Sequence, residues 1–156
     1  MKLRSLCIAL AITPAVAASA QPVVWQDYVV PETGAVAQIP RTVFSEDGGK
    51  PEEGSGRLFL TSDGRAKLTV QSIPNEAGDS PARFLAKKNP PPNIEYKRVT
   101  SRFFVVSSFR GDKIWYNRCN FVRRSVNCVL MSYPASEKRR WDGIVTRISN
   151  TLASTR

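Results

Sequence analysis

Cys119 and Cys128, in the stretch CNFVRRSVNC, stand symmetrically about Arg123 and Arg124. Such a pair can staple two strands, ligate a metal or cycle as a dithiol. A metal needs further nitrogen or sulfur ligands, yet the chain has no histidine and its third cysteine is Cys7, far away in sequence. Redox pairs usually read Cys-x-x-Cys, and this spacing is far wider. A staple fits better. If Arg123 and Arg124 form a two-residue hairpin turn, residues 122 and 125 close it, and 119 and 128 fall directly opposite in a non-hydrogen-bonded pair. The Cα separation there, about 4.5 Å, lies in the range a disulfide accepts. Closing the ten-residue loop stabilises the fold by about 2.7 kcal/mol in the chain-entropy model.

Other candidate chemistry is sparse. Without histidine the usual general base is missing. No Ser-x-x-Lys or Gly-x-Ser-x-Gly occurs, and GGKPEEGSG lacks the spacing of a phosphate loop. Asp63-Gly64 reads as a turn, since a calcium loop needs more aspartates. Glu52 and Glu53 read as solvated charge, and Trp115, Tyr116 and Phe121 as packing groups. The expectation is a non-enzyme with no catalytic residue, no cofactor and no metal.

The elements that hold these residues begin after residues 1–20, MKLRSLCIALAITPAVAASA, which have the form of a secretory signal. Lys2 and Arg4 precede an apolar run that is too short for a bilayer, and small residues end at Ala20. Cleavage near Ala20 would leave residues 21–156 as a single domain, periplasmic or secreted. No later segment is long enough to span a membrane.

In that remainder, VVWQDYVVPETGAVAQIP predicts two strands about a Pro31–Gly34 turn, and Ser45–Gly56 a mobile polar loop. Two β-rich runs flank Asp63-Gly64, a strong hairpin signal. SPARFLAKKN predicts a short helix capped by Ser80, with Pro81 at its first position. Three or four strands follow between Asn93 and Tyr133, and Phe103–Val106 suggests coverage on both faces. Ala135–Leu152 predicts an amphipathic helix with Trp141, Ile144, Val145, Ile148 and Leu152 on one stripe. The class is α+β: an antiparallel sheet flanked by a short helix and a C-terminal amphipathic helix. The segments TGAVAQIPRTVF, TSDGRAKLTV and YPASEKRRWDGIVTRISNTL resemble the PsbP/Mog1-like α/β sandwich in its small exported bacterial form. That resemblance implies a binding or assembly factor and brings no catalytic constellation with it.

Charge is the remaining signal. Residues 21–79 carry a net −4 and residues 80–156 a net +12, while Lys2 and Arg4 complete the total of +10. The cations of the second part include Lys87, Lys88, Lys97, Arg98, Arg102, Arg110, Lys113, Arg118 and Lys138–Arg140. Arg123 and Arg124 on a rigid turn, with Arg140 and Arg147 on the outer face of the last helix, are the candidate anion-binding residues. Their partner would be an anionic envelope component, such as lipid headgroups or lipopolysaccharide, or an acidic protein. Export and the lack of a recognition motif argue against nucleic acid. Such charge also keeps a chain monomeric. The competing readings are an accessory envelope protein with no dedicated site, and an unconventional hydrolase using Lys or Asp/Glu.

Overall fold

The computed structural model describes residues 22–155; the expected signal segment, including Cys7, lies outside them. Strands β1 (Trp25–Val29) and β2 (Ala35–Pro40) form the first hairpin, about a turn that Gly34 completes at φ +75°. Next come β3 (Glu46–Gly49), β4 (Ser55–Leu60) and β5 (Lys67–Pro74), with helix α1 at Pro81–Lys87. Then β6 (Asn93–Val99), β7 (Phe103–Arg110), β8 (Lys113–Val122) and β9 (Ser125–Pro134) lead through a 3₁₀ turn (Ala135–Glu137) into α2 (Lys138–Thr151). A two-residue strand, β10 (Ala153–Ser154), ends the described chain.

The strands form two antiparallel sheets, one in the order β1-β2-β10 and a larger one in the order β3-β4-β5-β9-β8-β7-β6. The hairpin register is the expected one: Val122 faces Ser125 and Cys119 faces Cys128, joined as a disulfide with a Cα separation of 4.1 Å. Arg123 takes the left-handed conformation of a tight turn, φ +52°.

The stretch 45–56 departs from expectation. It reads as a loop because it is polar and glycine-rich, yet it holds β3 and the start of β4. Its glycines answer to contact instead. A Cβ on Gly56 would stand 2.1 Å from the Val70 carbonyl oxygen, and one on Gly48 would stand 2.7 Å from Leu58 Cγ. Only glycine lets β3 approach β4, and β4 approach β5, so closely.

Side chains alternate across the large sheet, so each face has its own core. On one face Leu68, Val70, Ile114, Val129, Met131 and Tyr133 pack beneath α2 and the small sheet. Trp141 stacks on Tyr133 with centroids 5.4 Å apart and meets Phe44 at 5.7 Å. The stripe read from the sequence is what α2 buries, with Ile144 at its half-buried margin. Cations in the first turns of α2 oppose the helix dipole. Glu137 and Asp142 offset them: Arg140 pairs with Glu137 at 3.4 Å and Lys138 with Asp142 at 3.0 Å.

On the opposite face α1 covers a smaller core made of Ile73, Phe84, Leu85, Phe104, Val126 and the disulfide. Ser80 caps α1 as expected, accepting from Arg83 N–H at 3.3 Å. Asp79 receives Lys87 and Arg83, locking the helix onto its entry loop. Among the described residues, no helix is long and apolar enough to cross a membrane.

Candidate functional site

The register shows how much of the large sheet α1 leaves bare. One row across the strands on the α1 face runs Gly56, Gln71, Cys128, Cys119, Phe104. The next runs Leu58, Thr69, Leu130, Asn117, Val106, and the third runs Leu60, Lys67, Ser132, Trp115, Ser108. A seven-residue helix is only about 10 Å long. It sits over the disulfide row and stops there, because three consecutive prolines follow its end and forbid another turn. Most of the second and third rows stays open.

That open area is the floor of a cleft of about 450 Å³. The end of α1 walls one side with Lys87 and Lys88, and the segment Lys50–Glu53 rises on another. Lys67 and Arg110 complete the rim, so five cations face two carboxylates, Glu52 and Glu53, for a net +3. Lys88 pairs with Glu53 and lies over the Phe84 ring at 5.1 Å, tying helix to loop. Lys87 is held by Asp79. Lys50, Lys67 and Arg110 have no ion-pair partner among the described residues. The Arg110 guanidinium sits over the Trp115 ring at 5.6 Å. Such an arrangement can attract an anion and fix it against a partly apolar wall.

Thr69, Gln71, Asn117 and Ser132 line the floor. Asn117 is 1 % exposed and its Oδ1 has no hydrogen-bond partner, while Gln71 is 5 % exposed. A buried carbonyl oxygen without a donor is costly, and groups of this kind call for an explanation.

The arginines selected from the sequence lie elsewhere. Arg123 and Arg124 occupy the β8–β9 tip, about 20 Å along the strands from Asn117. Both are exposed and have no ion-pair partner among the described residues. Arg140, near the start of α2, is bound to Glu137. Arg147, further along α2, donates twice to Gln38 Oε1 at 3.0 Å and lies 4.2 Å from the centre of the Trp25 ring. The four are not brought together, and the cleft includes none of them.

Sequence reasoning named Lys87, Lys88 and Arg110 among the cations but passed over Lys50, Lys67, Gln71 and Asn117. A signal was present: Lys67, Thr69 and Gln71 alternate with Leu68 and Val70, which marks a β5 face polar enough to be wet. A second groove of about 340 Å³ lies on the α2 side, lined by Tyr96, Tyr116 and Tyr133. The Tyr116 hydroxyl shares a hydrogen with Ser149 Oγ at 2.6 Å, and burial raises the pKa of both Tyr116 and Tyr133.

No protein-family model matches the chain, and no curated protein matches it by sequence. Among solved structures it is similar to the solution structure of cyanobacterial PsbP (CyanoP) from Synechocystis sp. PCC 6803. The TM-score is 0.62 over 90% of this chain and 98% of that one, at 6% sequence identity. The protein is an α+β sandwich built on antiparallel sheets, and its fold is PsbP-like.

Proposed function

We propose that the protein is a non-enzymatic accessory domain, periplasmic or secreted after cleavage near Ala20, that binds an anionic partner. The observation that carries this reading is the cleft, where Lys50, Lys67 and Arg110 converge without neutralising partners among the described residues. A disulfide across β8 and β9 accords with an oxidising compartment. Absence of histidine leaves binding a simpler use of the cleft than proton transfer. Arg123 and Arg124 would add a second, outer cationic surface.

Titration with polyphosphate at low and high salt tests the reading, because phosphate contacts release counterions and weaken steeply with salt. The combined variant Lys50→Glu, Lys67→Glu, Arg110→Glu should lower affinity by at least tenfold at low salt. Reversal of Arg123 and Arg124, or of Arg140 and Arg147, should lower it less. Binding indifferent both to ionic strength and to the cleft variant would remove the proposal. A larger loss from the arginine variants would move the site to the hairpin tip or to α2.

A further inference from the structure

We propose that the cleft is a site for an anionic sugar, a sugar ring bearing a phosphate or carboxylate; this rests on the reading that the cleft takes anions. Three features of the floor narrow the ligand.

The first is Asn117. Its Oδ1 is buried and unpartnered, and Asn117 is one of the residues that line the cleft. A bare carboxylate or sulfate carries acceptors alone and would leave that oxygen orphaned. A ligand hydroxyl would satisfy it. The second is the density of neutral polar groups: Thr69, Gln71 and Ser132 line the same floor as Asn117. Hydroxyls and amides both donate and accept, which suits a polyol, whereas recognition of charge alone would need only the rim. The third is apolar surface. Trp115, Leu58 and Leu130 are interspersed with the polar groups and offer apolar contact to the C–H groups of a sugar ring.

The topology disfavours an acidic peptide. Extended peptides are commonly held by adding a strand to a free sheet edge. Strands β5, β9 and β8 beneath the cleft are interior, each paired on both sides, so the floor has no free backbone ladder. Side chains alone must recognise the ligand. The volume of about 450 Å³ falls within the usual range for small-molecule sites.

Calorimetric titration of the disulfide-bonded chain tests this with four probes: glucose 6-phosphate, trigalacturonate, glucose and sulfate. The anionic sugars should bind at least tenfold more tightly than either glucose or sulfate. Asn117→Leu should erase most of that advantage while leaving the affinity for sulfate, which has no donor for Oδ1, unchanged. Removing an unpaired buried oxygen should not lower the thermal midpoint; if the leucine variant fails to fold, Asn117→Ser and Gln71→Leu carry the same test. Lys67→Gln should weaken every anion.

Equal affinity for the anionic sugars and sulfate, or an Asn117→Leu variant that binds sugars like wild type, overturns the sugar assignment. The anion reading survives in that case if Lys67→Gln still weakens binding. Failure of all the anions to bind in the cleft overturns both. Competition by lipopolysaccharide for the same site would identify the sugar as part of an envelope polymer. Binding of the soluble probes without such competition would identify a free sugar acid or sugar phosphate.

Discussion

The two faces of the large sheet have opposite fates, although they share the same strands. Over β5 and β9 the α2 face is roofed by a fourteen-residue helix and a second sheet, and there its inward positions are apolar: Val70, Val129, Met131, Tyr133. The α1 face is roofed by a helix half that length, and its uncovered rows carry Lys67, Thr69, Asn117 and Ser132. Wherever a helix covers the strands, burial of apolar area drives folding. Where no helix reaches, polar floor and cationic rim remain available to a ligand. The length of α1, ended by Pro90-Pro91-Pro92, therefore sets the boundary between core and cleft.

The largest expected effect lies on the fully covered face. Trp141→Ala should cost about 3–5 kcal/mol, because the ring is 3 % exposed and packed against Tyr133 and Phe44. Denaturant unfolding measures it, and a loss under 1 kcal/mol would mean that α2 is not the principal roof. On the other face, Cys119→Ser with Cys128→Ser should cost about 2–3 kcal/mol. Dithiothreitol should destabilise the wild type by a similar amount and leave the double variant unmoved; free thiols in the folded, unreduced protein would contradict the staple.

A sharper comparison uses neighbours on β5. Val70→Thr buries a hydroxyl in the α2-side core and should cost about 1–2 kcal/mol. Thr69→Val, one residue away on the cleft side, should change stability by no more than about 0.5 kcal/mol. Equal costs would mean that the cleft floor is in fact core.

The smallest effect concerns alkaline pH. Burial raises the folded-state pKa of Tyr133 above its ordinary value of 10.0, so the native state keeps a proton that the unfolded chain releases. This contribution is fully present below about pH 10 and declines as pH rises above it. Tyr133→Phe should flatten the alkaline decline in stability measured from pH 9 to 11. An unchanged slope would show that this phenol is not protected by the α2 roof.

Much of this architecture was readable from local patterns. The 119–128 pairing followed from strand alternation about a two-residue turn, and the α2 stripe from helical spacing, since both periods are intrinsic to the backbone. The strand β3 escaped because its glycines look like loop residues; the role of Gly48 appears only once β3 lies against Leu58 of β4. The cleft escaped for a related reason. Lys50, Lys67, the pair Lys87-Lys88 and Arg110 come from four separate places in the chain and from both its acidic and its basic segments. Net charge by segment therefore pointed toward Arg123, Arg124, Arg140 and Arg147, which the fold spreads between a hairpin tip and α2.

What the sequence determined alone was whatever depends on neighbours a few residues apart: the turns, the caps, the amphipathic periods and the disulfide register. Only the tertiary structure decided which face of each strand stays dry and which cations share a cleft. That depends on which rows of side chains a short helix can physically reach, and no local pattern encodes the reach of α1 across strands far apart in sequence.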